Sequence, residues 1–263
     1  MTGLKYMVFA LVLLLFLSSK TFSQMDVFED GEELYYEVNY SFINIGWIKF
    51  NTERQLGKSN VYDCKAVMKS NEALPFVTVN YEFYSTMEVK NGIIKPLKFT
   101  ALEYKDDKKS TLTYIFNYDS GFVDIKKIGY GGATEVDKRV NTYTNFQDGL
   151  SIFYYARYMF SKTETSNVPV MMYIDSAMMK IDYNTAKTDV SIDNVRYDIS
   201  SVYLEGFSYF TAVFGLTGDF SGWFSGDAAR IPLKAKLQVK IGNVSVELKA
   251  WKRKNWKPLE FSE

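Results

Sequence analysis

The chain has 263 residues, with 31 Lys and Arg balanced by 31 Asp and Glu, one cysteine and no histidine. The missing histidine rules out Ser-His-Asp and Cys-His nucleophilic systems and any His-ligated zinc. One cysteine makes neither a thiolate metal site nor an intrachain disulfide, and the even charge lacks the basic footprint of a nucleic-acid binder.

The chain begins with Lys5, an apolar run from Tyr6 to Leu17, and small residues at Thr21 and Ser23. That order has the n-region, h-region and cleavage pattern of a secretory signal peptide. The run is short for a membrane helix, which takes about 20 apolar residues. A cleaved signal over 1–23 is therefore expected in preference to an uncleaved anchor, and no cysteine stands at the cleavage point to carry a lipid. The mature chain, 24–263, would hold 29 basic and 31 acidic residues. It is expected to be periplasmic or secreted.

From there alternation of period 2 recurs almost everywhere, and the 20 Tyr and 20 Phe favour strands over helices. In 34–40, Leu34, Tyr36, Val38 and Tyr40 share one face. In 61–70, Tyr62, Cys64, Ala66 and Met68 do the same, which puts Cys64 in an apolar layer as an inert core thiol. Further strands read at 44–54, 78–90, 94–104, 110–118 and 121–127, separated by turn residues such as Asn91-Gly92 and Asp119-Ser120-Gly121. Glycines at 129, 131 and 132 suggest a softer joint over 129–147.

DGLSIFYYAR, residues 148–157, departs from this pattern. Asp148 suits an N-cap, and Leu150, Phe153, Tyr154, Arg157 and Tyr158 have helical spacing. An amphipathic helix of three to four turns is expected over 148–161. It would either cap or plug a curved sheet, or place Tyr154, Tyr155 and Arg157 at a ligand mouth, with the Arg157 fork available to an acidic group.

Later strands read at 168–175, 178–183, 195–204, 231–241 and 244–252. Between them, 206–233 is rich in glycine and aromatic residues and reads as tight loops and bends. Asp227 and Arg230 there suit a structural pair closing a bulged strand end, or a site in which Trp223 and Phe224 stack on a ligand that Asp227 anchors. Gly242-Asn243 suits a two-residue type II′ turn, which would pair Ile241 with Val244, Val239 with Val246, Leu237 with Leu248 and Ala235 with Ala250.

Three blocks, in this order, resemble the exported bacterial proteins of domain-of-unknown-function family 3108. They are GEELYYEVNYSFINIGWIKF at 31–50, DGLSIFYYAR, and WFSGDAARIPLKAKLQVKIGNVSVEL at 223–248. The resemblance implies a β-rich exported protein with a curved, barrel-like sheet, and it brings no activity. Gly226 departs from the pattern where an acidic neighbour of Asp227 would stand, which weakens any cation site in that loop.

The expectation is a single-domain, mainly β protein: an antiparallel meander curved into a half-closed or closed barrel, with one helix. Its expected role is non-enzymatic binding of a hydrophobic or amphipathic ligand in the cell envelope, a lipid or glycan intermediate, with no metal or cofactor. Tyr154, Arg157, Trp223, Asp227 and Arg230 are the candidate ligand residues. The alternatives are an assembly role with an envelope protein partner and a carboxylate-based hydrolase.

Overall fold

The computed structural model describes residues 24–74, 78–210, 216–239 and 242–262. The expected signal peptide lies outside the described residues. In chain order the strands are β1 (Glu32–Tyr40), β2 (Ile43–Arg54), β3 (Val61–Ser70), β4 (Asn80–Lys90), β5 (Ile93–Lys105), β6 (Lys108–Asn117), β7 (Phe122–Ile128) and β8 (Thr134–Asn141). One helix follows, α1 (Ser151–Tyr158), and then β9 (Glu164–Met172), β10 (Asp175–Val190), β11 (Ile199–Ser208), β12 (Leu216–Ser225), β13 (Pro232–Val239) and β14 (Asn243–Lys252).

All fourteen strands form one sheet in the order β8-β7-β6-β5-β4-β3-β2-β1-β14-β13-β12-β11-β10-β9. Every pairing is antiparallel, so β1 and β14 join the two meanders at the centre. β8 and β9 are the two edges and do not pair, and the barrel is therefore half-closed. The sheet curls far enough for its two halves to touch across the concave face. The Tyr114 hydroxyl on β6 donates to the Tyr173 carbonyl beyond β9 at 2.7 Å. Gln147 bridges β9 through its backbone and donates from its amide to the Ile94 carbonyl on β5 at 3.2 Å.

Alternation decides which side chains face inward. In β1, Leu34, Tyr36 and Val38 are buried and Tyr35, Glu37 and Asn39 are only partly so, as the period-2 reading requires. Cys64 is a free, buried thiol whose ionisation burial suppresses. Gly46 has a steric reason to be glycine: a Cβ there would lie 2.3 Å from the Lys69 carbonyl oxygen, so β2 approaches β3 too closely for any side chain. Asn91 and Gly92 both have positive φ, the signature of a type I′ turn joining β4 to β5.

Four expectations are corrected. β8 and β12 are strands, where a joint and a run of loops were expected. β8 is exposed along most of its length and so lacks an apolar alternation, while in β12 glycines at 218 and 222 interrupt one. The helix is eight residues long, about two turns, and stops before Phe160. That ring packs against Tyr183 and Phe224 at centroid distances of 5.0 and 5.1 Å, which holds the chain away from a further turn. In the last hairpin Leu237 pairs with Val244 and Ala235 with Val246, a register displaced by four residues from the expected one. The displacement is even, so the apolar face is preserved. The expected Ile241–Val244 pair involves a residue outside those described.

Because neighbouring strands alternate in direction, their connections fall at two ends. The β1–β2, β5–β6, β9–β10 and β13–β14 connections lie at one end, called here the rim. The other end holds α1, the 3-10 turn Gln24–Val27 and the C-terminal segment, whose Leu259 carbonyl accepts from the Ser200 amide at 2.8 Å.

Candidate functional site: an apolar groove with one closed end

Three cross-strand rungs divide the concave face. The first, nearest α1, runs Glu32, Thr52, Cys64, Ser85, Phe99, Tyr114. The second runs Phe50, Ala66, Phe83, Ala101, Leu112, Lys127. The third runs Tyr36, Ile48, Met68, Tyr81, Glu103, Ser110.

The polar members of the first rung are the seat of the helix. Glu32 is 1% exposed and receives both terminal nitrogens of Arg157, at 2.7 and 3.1 Å. Arg157, itself fully buried, also donates to the Ala229 carbonyl at 3.1 Å, and Arg253 donates to Glu32 from the other side. Thr52 shares a 2.8 Å hydrogen bond with the Tyr154 hydroxyl. Ser85 donates to Asp148 at 2.6 Å. Three buried polar side chains of the helix and its entry thus meet partners on the sheet, as buried polar groups favour, although the Arg157 Nε has no hydrogen-bond partner among the described residues.

Asp148 also accepts from the Leu150 and Ser151 amides at 2.8 and 2.7 Å, while its own amide donates to the Ser151 hydroxyl. Leu150, not Asp148, occupies the N-cap position, and Asp148 supplies capping bonds from two residues before it. Burial raises its pKa to about 6, against the opposing pull of Ser85, Ser151 and Leu150. A carboxylate whose folded pKa lies above its unfolded one favours the native state when protonated, so stability falls as pH rises from about 4 through 6. The Asp148→Asn variant keeps the acceptor for both amides and a donor for Ser85 but has no charge to bury. Relative to the parent, it is expected to gain roughly 3 kcal/mol of stability between pH 4 and pH 7, read from urea unfolding at a series of pH values. Parallel pH profiles of the two proteins would refute this.

The second and third rungs are not covered in the same way. Phe50, Phe83, Ala101 and Leu112 face inward yet remain only partly buried. They line a groove of about 260 Å³, roofed by Leu150 and Phe153 of the helix region and by Met171 and Met172 of β9. Phe153 stacks on Phe50 at 4.1 Å between centroids, forming the end wall. Towards the rim, between β4 and β7, the lining turns polar. Glu103 accepts from the Tyr81 hydroxyl at 2.5 Å, and Lys127 pairs with Glu135 at 2.7 Å. Burial and the Glu103 carboxylate push the neighbouring Tyr130 phenol up to about 12, keeping it a hydrogen-bond donor at neutral pH. Glu103 is the acidic side chain among the described residues that line the groove.

The five residues singled out from sequence fall outside this lining. Tyr154 and Arg157 are wholly buried under α1, with the Arg157 fork engaged by Glu32. Asp227 joins them at the closed end, accepting from Ser225, the Ala229 amide and the Trp256 indole at 2.8 to 2.9 Å. Arg230, in the same turn, donates to the Ser225 carbonyl at 3.1 Å and lies 5.7 Å from the Phe160 ring. Four of the five thus meet at the closed end. Trp223 stands apart on the opposite face of β12, packed against Tyr203 at 5.2 Å. The groove residues went unnamed in the sequence reading because alternation tells which side chains face inward, not which of them stay uncovered.

Residues 35–249 match the profile of a family described as a protein of unknown function, DUF3108. No curated protein matches the chain in sequence. Among solved structures, a β-barrel-like protein of the DUF1849 domain from Brucella abortus is similar to it with a TM-score of 0.54 at 7% identity, covering 86% of this chain and 98% of that one. A protein from Bacteroides fragilis described as exported, with a YmcC-like fold, has a TM-score of 0.34 at 8% identity, covering 86% and 97%. The first likeness is one of fold.

Proposed function

The chain belongs to the DUF3108 family, and on that footing we propose that it is an exported envelope protein that binds one apolar or amphipathic ligand, a lipid or lipid-linked glycan intermediate, in the groove. Residues 1–23 act as its cleaved signal peptide, and 24–263 form one domain. The observation that carries the reading is the second rung: large apolar side chains pointing into a half-closed barrel and left partly uncovered. A folded chain gains about 25 cal/mol for each Å² of apolar surface removed from water, so such a surface favours an apolar occupant. The volume lies just below the roughly 300 Å³ at which small-ligand pockets begin. The tail would lie against Leu112 and Phe153, and the head would reach Glu103, Lys127 and Tyr130. Tyr154, Arg157, Asp227 and Arg230 hold the closed end and bear on the ligand through the wall they support.

The test is native mass spectrometry of residues 24–263 purified after export, followed by identification of what organic solvent extracts. A reproducible one-to-one adduct is expected. A protein that arrives empty, and that also fails to take up a fluorescent acyl probe, would rule the reading out.

A further inference from the structure

Among the described residues, the rim around the groove's open end carries two groups of exposed aromatic and aliphatic side chains, while Leu56, Ile93, Tyr143 and Leu259 are exposed singly at the other end. The β1–β2 turn presents Phe42, which is 92% exposed, beside Tyr40 and Ile43. The β9–β10 turn presents Tyr173 and Ile174, flanked by Met178, Phe207 and Tyr209. The second group is held together: the Tyr209 amide donates to the Met178 carbonyl at 3.3 Å, and the Phe207 and Tyr209 rings are 4.8 Å apart.

We propose that this rim docks on the surface of a lipid bilayer, with the hairpin tips inserted among the headgroups and the groove mouth facing the membrane. Three features favour a bilayer. The apolar side chains sit on separate hairpin tips on either side of an opening, an outline that matches a soft surface better than a flat protein interface. Tyrosine and phenylalanine are side chains that settle at the boundary between water and hydrocarbon. The mouth is also continuous with the tips: Tyr173 lines the groove itself, and so does Val38, two residues before Tyr40 on β1. A chain leaving the bilayer between them would enter the groove without crossing water. The nearby β5–β6 hairpin carries Lys105, Lys108 and Lys109 beside Asp106 and Asp107, and the β9–β10 tip carries Asp175, so the charges of these two turns balance. Docking is thus apolar, and it should require no anionic lipid. The docking stands on the exposed tips alone, whereas the transfer it would serve rests on the binding reading above.

The experiment is sedimentation of the chain 24–263 with phosphatidylcholine vesicles at low and at high salt. Binding is expected at both, since an apolar contact is not screened. Phe42→Ser combined with Tyr209→Ser should weaken it at least about tenfold. Leu56→Ser, an equally exposed aliphatic side chain on the β2–β3 turn at the closed end, should leave it unchanged. Ala101→Trp, which fills the groove, should leave it unchanged too, so that loss of ligand uptake and loss of docking are told apart. All these positions but Ala101 are exposed, and thermal unfolding confirms that the variants fold. Absence of sedimentation, sedimentation abolished by salt, or sedimentation equal in parent and double variant would each overturn the proposal. A double variant that keeps vesicle binding and instead changes oligomeric state would reassign the rim to a second copy of the chain.

Discussion

Replacing Glu32 with alanine is expected to lower the stability of the protein by about 3–5 kcal/mol, the largest effect of any single substitution considered. Glu32 is the countercharge for Arg157, which is fully buried, and it also receives Arg253. Without it the Arg157 guanidinium keeps one carbonyl acceptor, Ala229, and loses its balancing charge in a place water does not reach. A domain of this kind has about 5–15 kcal/mol in total, so the loss would take a large share of it. Urea unfolding followed by circular dichroism measures it. Removing both charges, with Glu32→Met and Arg157→Leu together, should cost less than Glu32→Ala alone, because the penalty lies in the unpaired charge more than in the lost pair. A Glu32→Ala loss below about 1 kcal/mol, the range of exposed ion pairs, would show that the helix is held by its apolar contacts and that the pair is incidental.

The second large effect concerns the groove. Ala101 lies midway along the second rung, between Phe83 and Leu112, and its small side chain leaves the space that the larger neighbours enclose. Ala101→Trp puts an indole into that space without disturbing the first rung, where the helix is seated. Affinity for a fluorescent acyl probe is expected to fall at least tenfold, which corresponds to about 1.4 kcal/mol or more. Thermal stability should hold or rise, since the indole covers apolar surface now left open. Undiminished probe binding in a folded Ala101→Trp variant would mean that the ligand, if bound, sits elsewhere.

Both predictions depend on residues that the sequence presents very differently. Glu32 stands second in the first family-like block, and its residue type alone does not distinguish it from the other glutamates of GEELYYEVNY. Its neighbour Glu33 is an ordinary surface acid paired with Lys49 and Lys252. What separates them is the face of the strand, and alternation does place Glu32 on the same face as Leu34 and Tyr36. A carboxylate on an apolar face is the available clue. Its partner, Arg157, lies 125 residues away, and no local pattern names it.

The sequence by itself determined what local chemistry controls. Period-2 alternation set the inward faces of β1 and β3 and the buried state of Cys64, turn chemistry set the turn at Asn91-Gly92, and helical spacing after Asp148 set the existence of a helix. Alternation also kept the apolar face of the last hairpin intact when its register moved by four residues, because only an odd shift exchanges faces. The missing histidine likewise closed off whole classes of chemistry before any fold was known. Tertiary structure alone decided what covers each inward face. Whether Phe83 or Ala101 is core or groove depends on how far the sheet curls and where α1 comes to rest. Those outcomes are set by long-range contacts: Arg157 with Glu32, Tyr154 with Thr52, and Tyr114 with Tyr173. A strand's sequence encodes its direction of burial, but the depth of that burial belongs to the elements that fold over it.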